Sequence, residues 1–203
     1  MLETIYEINV NWKKVNNMIP VIIQHNISGK VLMHGYMNPE ALKKTQSDKI
    51  VTFFSRTKNR LWTKGEISKN YLYVVSMTLD CDQDSLLILV NPVGNVCHLN
   101  CPSCFKSLST TLSFFYDLES NLKLKKEKFS DDSYTSSLHS SGINRIAQKV
   151  SEEAVETSIA AVSKNKDQLI NESSDLIYHL LVLLHSYNLD FCDIIKNLKI
   201  RDK

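Results

Sequence analysis

The sequence predicts two domains in tandem, a strand-rich α+β domain over residues 1–107 and an all-α bundle over residues 108–203. Three observations carry this reading. Short β-rich runs alternate with turn residues through the first half, the texture changes beyond about residue 107, and from Gly142 onward apolar residues recur at helical spacing. A chain of 203 residues is long enough to bury two modest cores.

In the first domain the runs "VIIQ", "KVLMHGY", "IVTFFS", "YLYVVSMTLD" and "SLLILVN" are separated by Ser28-Gly29, Gly65 and Pro92-Val93-Gly94, the punctuation expected between strands. One helix interrupts them at "NPEALKKTQ", where Asn38 can cap and Pro39 suits the first helical position, whose amide needs no partner. Residues 123–142, "KLKKEKFSDDSYTSSLHSSG", are charged and then serine-rich without an apolar period, and are expected to form a loop inside the second domain. Beyond it, Ile146, Val150, Ala154 and Val155 share one helical stripe, and Leu169, Leu176, Leu180 and Leu183 share another.

Bulk properties narrow the function. The formal charge is +2, the sequence pI is near 8.2 and 23% of residues are charged, so nothing calls for a nucleic-acid partner or for disorder. The amino terminus has no basic segment leading into an apolar run, and the longest apolar run, "LLVLL" at 180–184, is too short for a bilayer; a cytoplasmic location without membrane attachment is expected. Four of the five cysteines crowd into residues 81–104, which argues for metal or redox chemistry over a disulfide framework. Cys192 lies in an apolar helical pattern and reads as packing.

In "KVSEEAVETSIAAV" the spacing places Glu152, Glu153 and Glu156 on one side of a helix. Like charges so placed cost about 0.2–0.5 kcal/mol per pair in an isolated helix, which interleaved lysines would avoid. Glu172 and Asp175 follow on the next helix, in "NESSDLIYHLL". Two antiparallel helices would bring these carboxylates together as hard oxygen ligands for magnesium, which can bridge them to a phosphate substrate. A solvated acidic face is the alternative for the first group alone, and the second group weighs against it.

"EEAVE" followed by "ESSD" resembles the signature of the all-α nucleotide pyrophosphohydrolases. The longer pattern "DDSYTSSL…INRIAQKVSEEAVE…ESSDLIYHLLVLL", covering most of residues 109–190, resembles phosphoribosyl-ATP pyrophosphohydrolase of histidine biosynthesis. The resemblance implies that Glu152, Glu153, Glu156, Glu172 and Asp175 hold magnesium, with Glu153 catalytic, that water splits the bond between the α and β phosphates, and that Lys149 contacts phosphate. Ser151 stands where many members carry glycine, a change of little weight on a helix surface.

The stretch "CHLNCPSC" packs Cys97, His98, Cys101 and Cys104 into eight residues. With Cys81 it could close a four-sulfur structural zinc site, or three of the sulfurs could hold an open zinc that does chemistry. Upstream, Asp80, Asp82 and Asp84 alternate around Cys81, and in an extended chain they would face one side with the thiolate on the other. An EF-hand is excluded, because Ser85 and Asn91 occupy the positions that need glycine and glutamate. Zinc prefers the sulfurs and magnesium the oxygens, so the stretch can seat both. The segment "SRTKNRLWTKGEISKN" is basic with a single tryptophan, and alone reads as a solvated loop or a weak nucleic-acid patch. Trp12 reads as packing.

Cys81 and "CHLNCPSCF", taken with "VLMHGYMNPEAL", "FFSRTKNRLWTKGEISKN" and "NPVG", resemble phosphoribosyl-AMP cyclohydrolase from about Trp12 to Phe105. The resemblance implies zinc on Cys81, Cys97 and Cys104, with Cys81 coming from the other subunit of a dimer, and magnesium on Asp80, Asp82 and Asp84. It implies a water on the open zinc position that adds to carbon 6 of the adenine ring, His98 as general acid/base, and Arg56, Arg60, Trp62, Lys64, Ser68 and Asn70 as substrate contacts. His98 as a merely structural neighbour of the zinc remains the alternative. Cys101 departs from the family, which shows a basic or polar residue there, and Asn100 replaces a common glycine. A fourth sulfur could fill the open position, whereas the stiff Pro102 and the neighbouring aspartates favour the open site.

Together the resemblances imply the bifunctional phosphoribosyl-AMP cyclohydrolase / phosphoribosyl-ATP pyrophosphohydrolase type of histidine biosynthesis, working as a homodimer with zinc and magnesium on small nucleotide substrates. A zinc-stapled nucleotide-binding regulator with a degenerate helical domain is the alternative from another class. A binding module has no use for the complete acid set, which tells against it. A general house-cleaning nucleoside triphosphate pyrophosphohydrolase with an unrelated zinc domain is the alternative among enzymes.

Overall fold

The computed structural model describes residues 8–105, 110–127 and 133–202. The first seven residues, the expected 107/108 boundary and residues 128–132 of the charged stretch lie outside the described residues. The chain divides into two compact units after Phe114. Among the described residues no helix is long and apolar enough to cross a membrane.

The first unit runs β1 (Ile19–His25), β2 (Val31–Met37), α1 (Pro39–Asp48), β3 (Thr52–Ser55), β4 (Arg60–Thr63), β5 (Leu72–Leu79) and β6 (Leu86–Pro92). Its main sheet has the order β2-β1-β6-β5, with β1 parallel to β6 and the outer pairs antiparallel, and β3 and β4 form a separate hairpin. Alternation builds the core: Ile19, Val21 and Ile23 of β1 and Leu86, Ile88 and Val90 of β6 are fully buried on one face. Trp12 packs against that core.

As expected, Asn38 caps α1, its Oδ1 accepting from the Ala41 amide at 2.8 Å, and Pro39 opens the helix. Buried Thr45 then fastens α1 to β3, its hydroxyl donating to the Thr52 carbonyl at 3.1 Å and accepting from the Thr52 amide at 2.9 Å. The basic segment is not a loop throughout, because Arg60–Thr63 is strand β4, paired with β3. Four residues flanked by lysine and asparagine carry too little alternation to reveal it.

The second unit is helical: it takes α2 (Thr111–Glu127) from Phe115 onward, then α3 (Tyr134–Ser140), α4 (Ile143–Val162), α5 (Lys166–Ser186) and α6 (Phe191–Arg201). The expected loop over 123–142 is therefore corrected, since α2 continues to Glu127 and α3 occupies part of the serine-rich stretch. Thr135 and Ser136 are buried there beside Leu138, so small polar side chains cover the core in place of an apolar period. The core is Leu122, Leu138, Ile146, Leu181 and Val182. The expected stripe is displaced accordingly: Leu181 and Val182 are buried where Leu180 and Leu183 were expected, and Val155 is exposed.

A charged junction anchors α6. Glu119 of α2 is buried, and its Oε1 accepts from the Phe191 amide at 2.7 Å while lying 3.6 Å from Nε2 of the buried His185. Lys123 pairs with Asp190 beside it. Burial raises the Glu119 carboxyl, but His185, the Phe191 amide and Lys123 outweigh it and hold the group below the usual range.

Gly35 of β2 leaves room for the Phe53 ring; a Cβ there would meet that ring at 2.5 Å. Gly35→Ala should cost about 1–3 kcal/mol in urea unfolding of the first unit, and a loss under about 0.5 kcal/mol would contradict this packing account. Because the folded Glu119 is the more acidic, its contribution is present above the unfolded value of about 4.3 and drains as pH falls through its depressed folded value. Glu119→Ala should lower helical-unit stability near neutral pH by about 1.5–3 kcal/mol and flatten its loss on acidification. Unchanged acid sensitivity followed by circular dichroism would contradict that assignment.

Candidate active sites

The β5–β6 turn builds the first acidic site. Asp80, Asp82 and Asp84 offer ligand oxygens within 4.8 Å of one another. They do not lie on an extended strand, as the spacing suggested. Residues 81–84 form a turn with Gln83 at φ 62°, and Asp80 Oδ1 accepts from the Asp84 and Ser85 amides, each at 3.0 Å. The chain curls around one carboxylate and so gathers the others, a local bond that alternation does not report. Lys14, distant in sequence, pairs with Asp82 and reaches Asp84 Oδ2 at 2.6 Å. These carboxylates in turn push the ammonium well above its usual range.

The cysteine loop is pinned to β2 from outside the sheet. The Cys104 amide donates to the Leu32 carbonyl at 2.8 Å, and Ser103 Oγ donates to the Val31 carbonyl at 2.8 Å. Asn100 takes φ 58°, the left-handed region that asparagine tolerates better than most residues, which accounts for its replacing glycine. Burial and the facing Cys97 sulfur push the Cys104 thiol up, and Lys64 pulls it down. Cys101 Sγ turns to the Leu99 carbonyl at 3.5 Å. Exposed His98 lies beside the buried Cys97, its Nδ1 4.0 Å from the Cys97 sulfur. Exposed Cys81 belongs to the aspartate turn, 3.9 Å from Asp82 Oδ1. Among the described residues, no converging group of three ligands includes a cysteine. The pair Cys97 and Cys104 suits a soft cation but is an incomplete donor set by itself.

The expected substrate contacts split into two kinds. The Arg56 guanidinium lies 3.9 Å above the Tyr36 ring, Trp62 packs on Phe53 at 5.6 Å between ring centroids, and Lys64 Nζ lies 5.9 Å from the Trp62 ring. Arg60 instead pairs with Glu66 at 2.6 Å, and Asn70 donates to the Asn95 carbonyl at 2.9 Å, so both brace the segment. Exposed Ser68 accepts from the Asn70 amide at 3.3 Å.

In the second unit, Glu153, Glu156 and Glu172 converge with ligand oxygens within 4.8 Å. Helices α4 and α5, joined by a short turn and capped by Asn165 accepting from the Gln168 amide at 3.1 Å, present them from opposite sides. Hard oxygen donors so gathered fit a magnesium ion. Burial and the nearby Glu156, Glu153 and Asp175 push the Glu172 carboxyl up. Glu152 stands outside that group, held by Gln148 at 2.8 Å and Lys149 at 3.0 Å. Lys149 also pairs with the buried Glu153 at 2.6 Å, and both carboxylates drive its ammonium far up.

Sequence reasoning missed Lys14, Tyr36 and His179. The first two contacts are long-range and carry no local signal. His179 is four residues after Asp175, so helical spacing alone places it on the acidic face. Its ring is buried with Nε2 3.7 Å from Glu153 Oε1, and burial pushes it below the ordinary imidazole range. A further convergent group, Glu119, His185 and Asp190, is the helix junction described above, already neutralised by Lys123.

Each unit matches a known family: residues 33–106 match Phosphoribosyl-AMP cyclohydrolase and residues 115–202 match Phosphoribosyl-ATP pyrophosphohydrolase. The Histidine biosynthesis bifunctional protein HisIE of Buchnera aphidicola subsp. Baizongia pistaciae (strain Bp) is 67% identical, covering 99% of this chain and 98% of its own length. Its counterparts in Blochmanniella floridana and Escherichia coli (strain K12) are each 53% identical, the first covering 100% of this chain and 98% of its own length, the second 95% of each. The chain belongs to this bifunctional histidine-biosynthesis family. It is a hydrolase with a cyclohydrolase domain followed by a pyrophosphohydrolase domain, as its two resemblances implied.

Proposed function

We propose that the helical domain hydrolyses phosphoribosyl-ATP to phosphoribosyl-AMP and pyrophosphate, and that the strand-rich domain then opens the purine ring of phosphoribosyl-AMP to the formimino-AICAR ribotide. The observation that carries this is the pairing of each family match with its own converging acid set, Asp80, Asp82 and Asp84 in one unit and Glu153, Glu156 and Glu172 in the other.

When bound, zinc would acidify the water that adds to the ring carbon, and magnesium would neutralise phosphate charge. In the helical domain Glu152, Glu153, Glu156, Glu172 and Asp175 are the magnesium residues. Glu153, buried between helices, accepts a proton from the attacking water. Lys149, which neutralises Glu152 and Glu153 in the free chain, is placed to turn its ammonium to phosphate once a metal takes over that role.

In the strand-rich domain Cys97 and Cys104 are two of the zinc residues, and Cys81 of the partner subunit is the third. Asp80, Asp82 and Asp84 hold magnesium. His98, exposed beside Cys97, moves the proton between water and the ring nitrogen. Arg56 and Lys64 bind phosphate and Trp62 borders the purine, while Arg60, Ser68 and Asn70 hold the segment in shape.

A homodimer is part of this reading. Two features support it: the in-chain sulfur set is incomplete, and the α4–α5 pair exposes Val155, Ile159, Val162, Ile170 and Ile177 at helical spacing. A cytoplasmic setting suits a biosynthetic enzyme of this kind.

The test supplies purified chain with phosphoribosyl-ATP, magnesium and zinc, following pyrophosphate and the ring-opened product. Glu153→Gln should cut pyrophosphate release at least about 100-fold while sparing ring opening of supplied phosphoribosyl-AMP, and Cys104→Ala should do the reverse. Loss of both activities in either variant would contradict the assignment of one reaction to each domain.

A further inference from the structure

His179 is the buried titratable group beside the helical acid cluster to which the reaction above gives no task. It lies on α5 one turn past Asp175 and is 4% exposed. Its Nε2 faces Glu153 Oε1 at 3.7 Å, and its Nδ1 is buried without a hydrogen-bond partner. The ring is gripped edge-on by Tyr178 at 5.3 Å and by Tyr134 at 6.0 Å between centroids. Tyr178 is itself tied through its hydroxyl to Thr135 at 2.6 Å. The Ser133-Tyr134-Thr135 segment at the start of α3 therefore reaches the acid cluster through this imidazole.

We infer that His179 is a positioning residue for Glu153, its Nε2–H holding Oε1 so that the carboxylate keeps facing Glu156 and Glu172. The inference rests on the pyrophosphohydrolase reading of that cluster. Glu153 is 5% exposed, and a buried carboxylate is costly unless its oxygens are bonded. In the free chain Lys149 serves Oε1 at 2.6 Å. A metal ion among the carboxylates would repel that ammonium, and a phosphate would draw it away, leaving Oε1 in need of another donor. His179 is already there. Glu153 needs to move only roughly 0.8 Å to reach ordinary hydrogen-bond length, and the imidazole donates from Nε2 as the charged form or as the neutral Nε2–H tautomer.

The test compares His179→Phe, which keeps the ring between the tyrosines and removes the donor, with His179→Gln, whose amide reaches the same place. The probe is manganese binding to the full chain followed by electron paramagnetic resonance, the relevant component being the one lost in Glu153→Gln. His179→Phe should weaken that component about 10- to 100-fold and raise the magnesium requirement for pyrophosphate release by a similar factor. His179→Gln should return both to within about threefold of the natural chain. Natural affinity in His179→Phe would overturn the inference. So would a His179→Gln variant no better than His179→Phe, because ring packing would then be the whole role. If no manganese component in the natural chain responds to Glu153→Gln, the metal reading of the cluster fails and the inference falls with it.

Discussion

Repulsion between carboxylates held within reach of one another is the constraint on which both units depend. Asp80, Asp82 and Asp84 converge at one hairpin turn, and Glu153, Glu156 and Glu172 converge between two helices. Neither arrangement is stable on charge alone. In each, a lysine lies across the acids, Lys14 on Asp82 and Asp84 and Lys149 on Glu152 and Glu153. These lysines compensate part of the charge, and in the helical unit Glu172 is still pushed toward its neutral form by burial and by its acidic neighbours. Oxygen donors gathered so closely are the kind of set that a hard cation would bind.

The rest of each unit holds those acids still. In the first, the parallel β1–β6 pair carries the core and the β5–β6 hairpin closes in the turn that gathers the aspartates, while β2 receives the cysteine loop through Leu32 and Val31. In the second, the long α4–α5 pair sets the glutamates face to face, and the small core near Ile146 and Leu181 fixes one end of it. The soft sulfurs of Cys97 and Cys104 and the hard oxygens of Asp80, Asp82 and Asp84 stay in separate loops of one unit.

Much of this was legible in the sequence, and the exceptions have physical causes. Short β-rich runs bounded by turn residues disclosed β1, β2, β3, β5 and β6, and Asn38-Pro39 disclosed the start of α1. Strand β4 was hidden because four residues among basic neighbours show almost no alternation. Helix α3 was hidden because Thr135 and Ser136 do the covering that leucines do elsewhere. The aspartates converge by a geometry other than the one their spacing suggested: Asp80 Oδ1 accepting from two backbone amides, not an extended strand, brings them together. Lys14 and Tyr36 act through tertiary contacts, to which a local pattern is blind. His179 was within reach of helical spacing, yet a histidine in an apolar run reads as packing until Glu153 is seen opposite it.

The most direct measurement is calorimetric unfolding of the metal-stripped chain with and without magnesium at constant ionic strength. If the carboxylate clusters are cation sites, magnesium raises the transitions of both units, by about 2.7 kcal/mol of stabilisation for each at a hundredfold excess over its dissociation constant. Transitions that move no further than in sodium chloride of equal ionic strength would contradict the account.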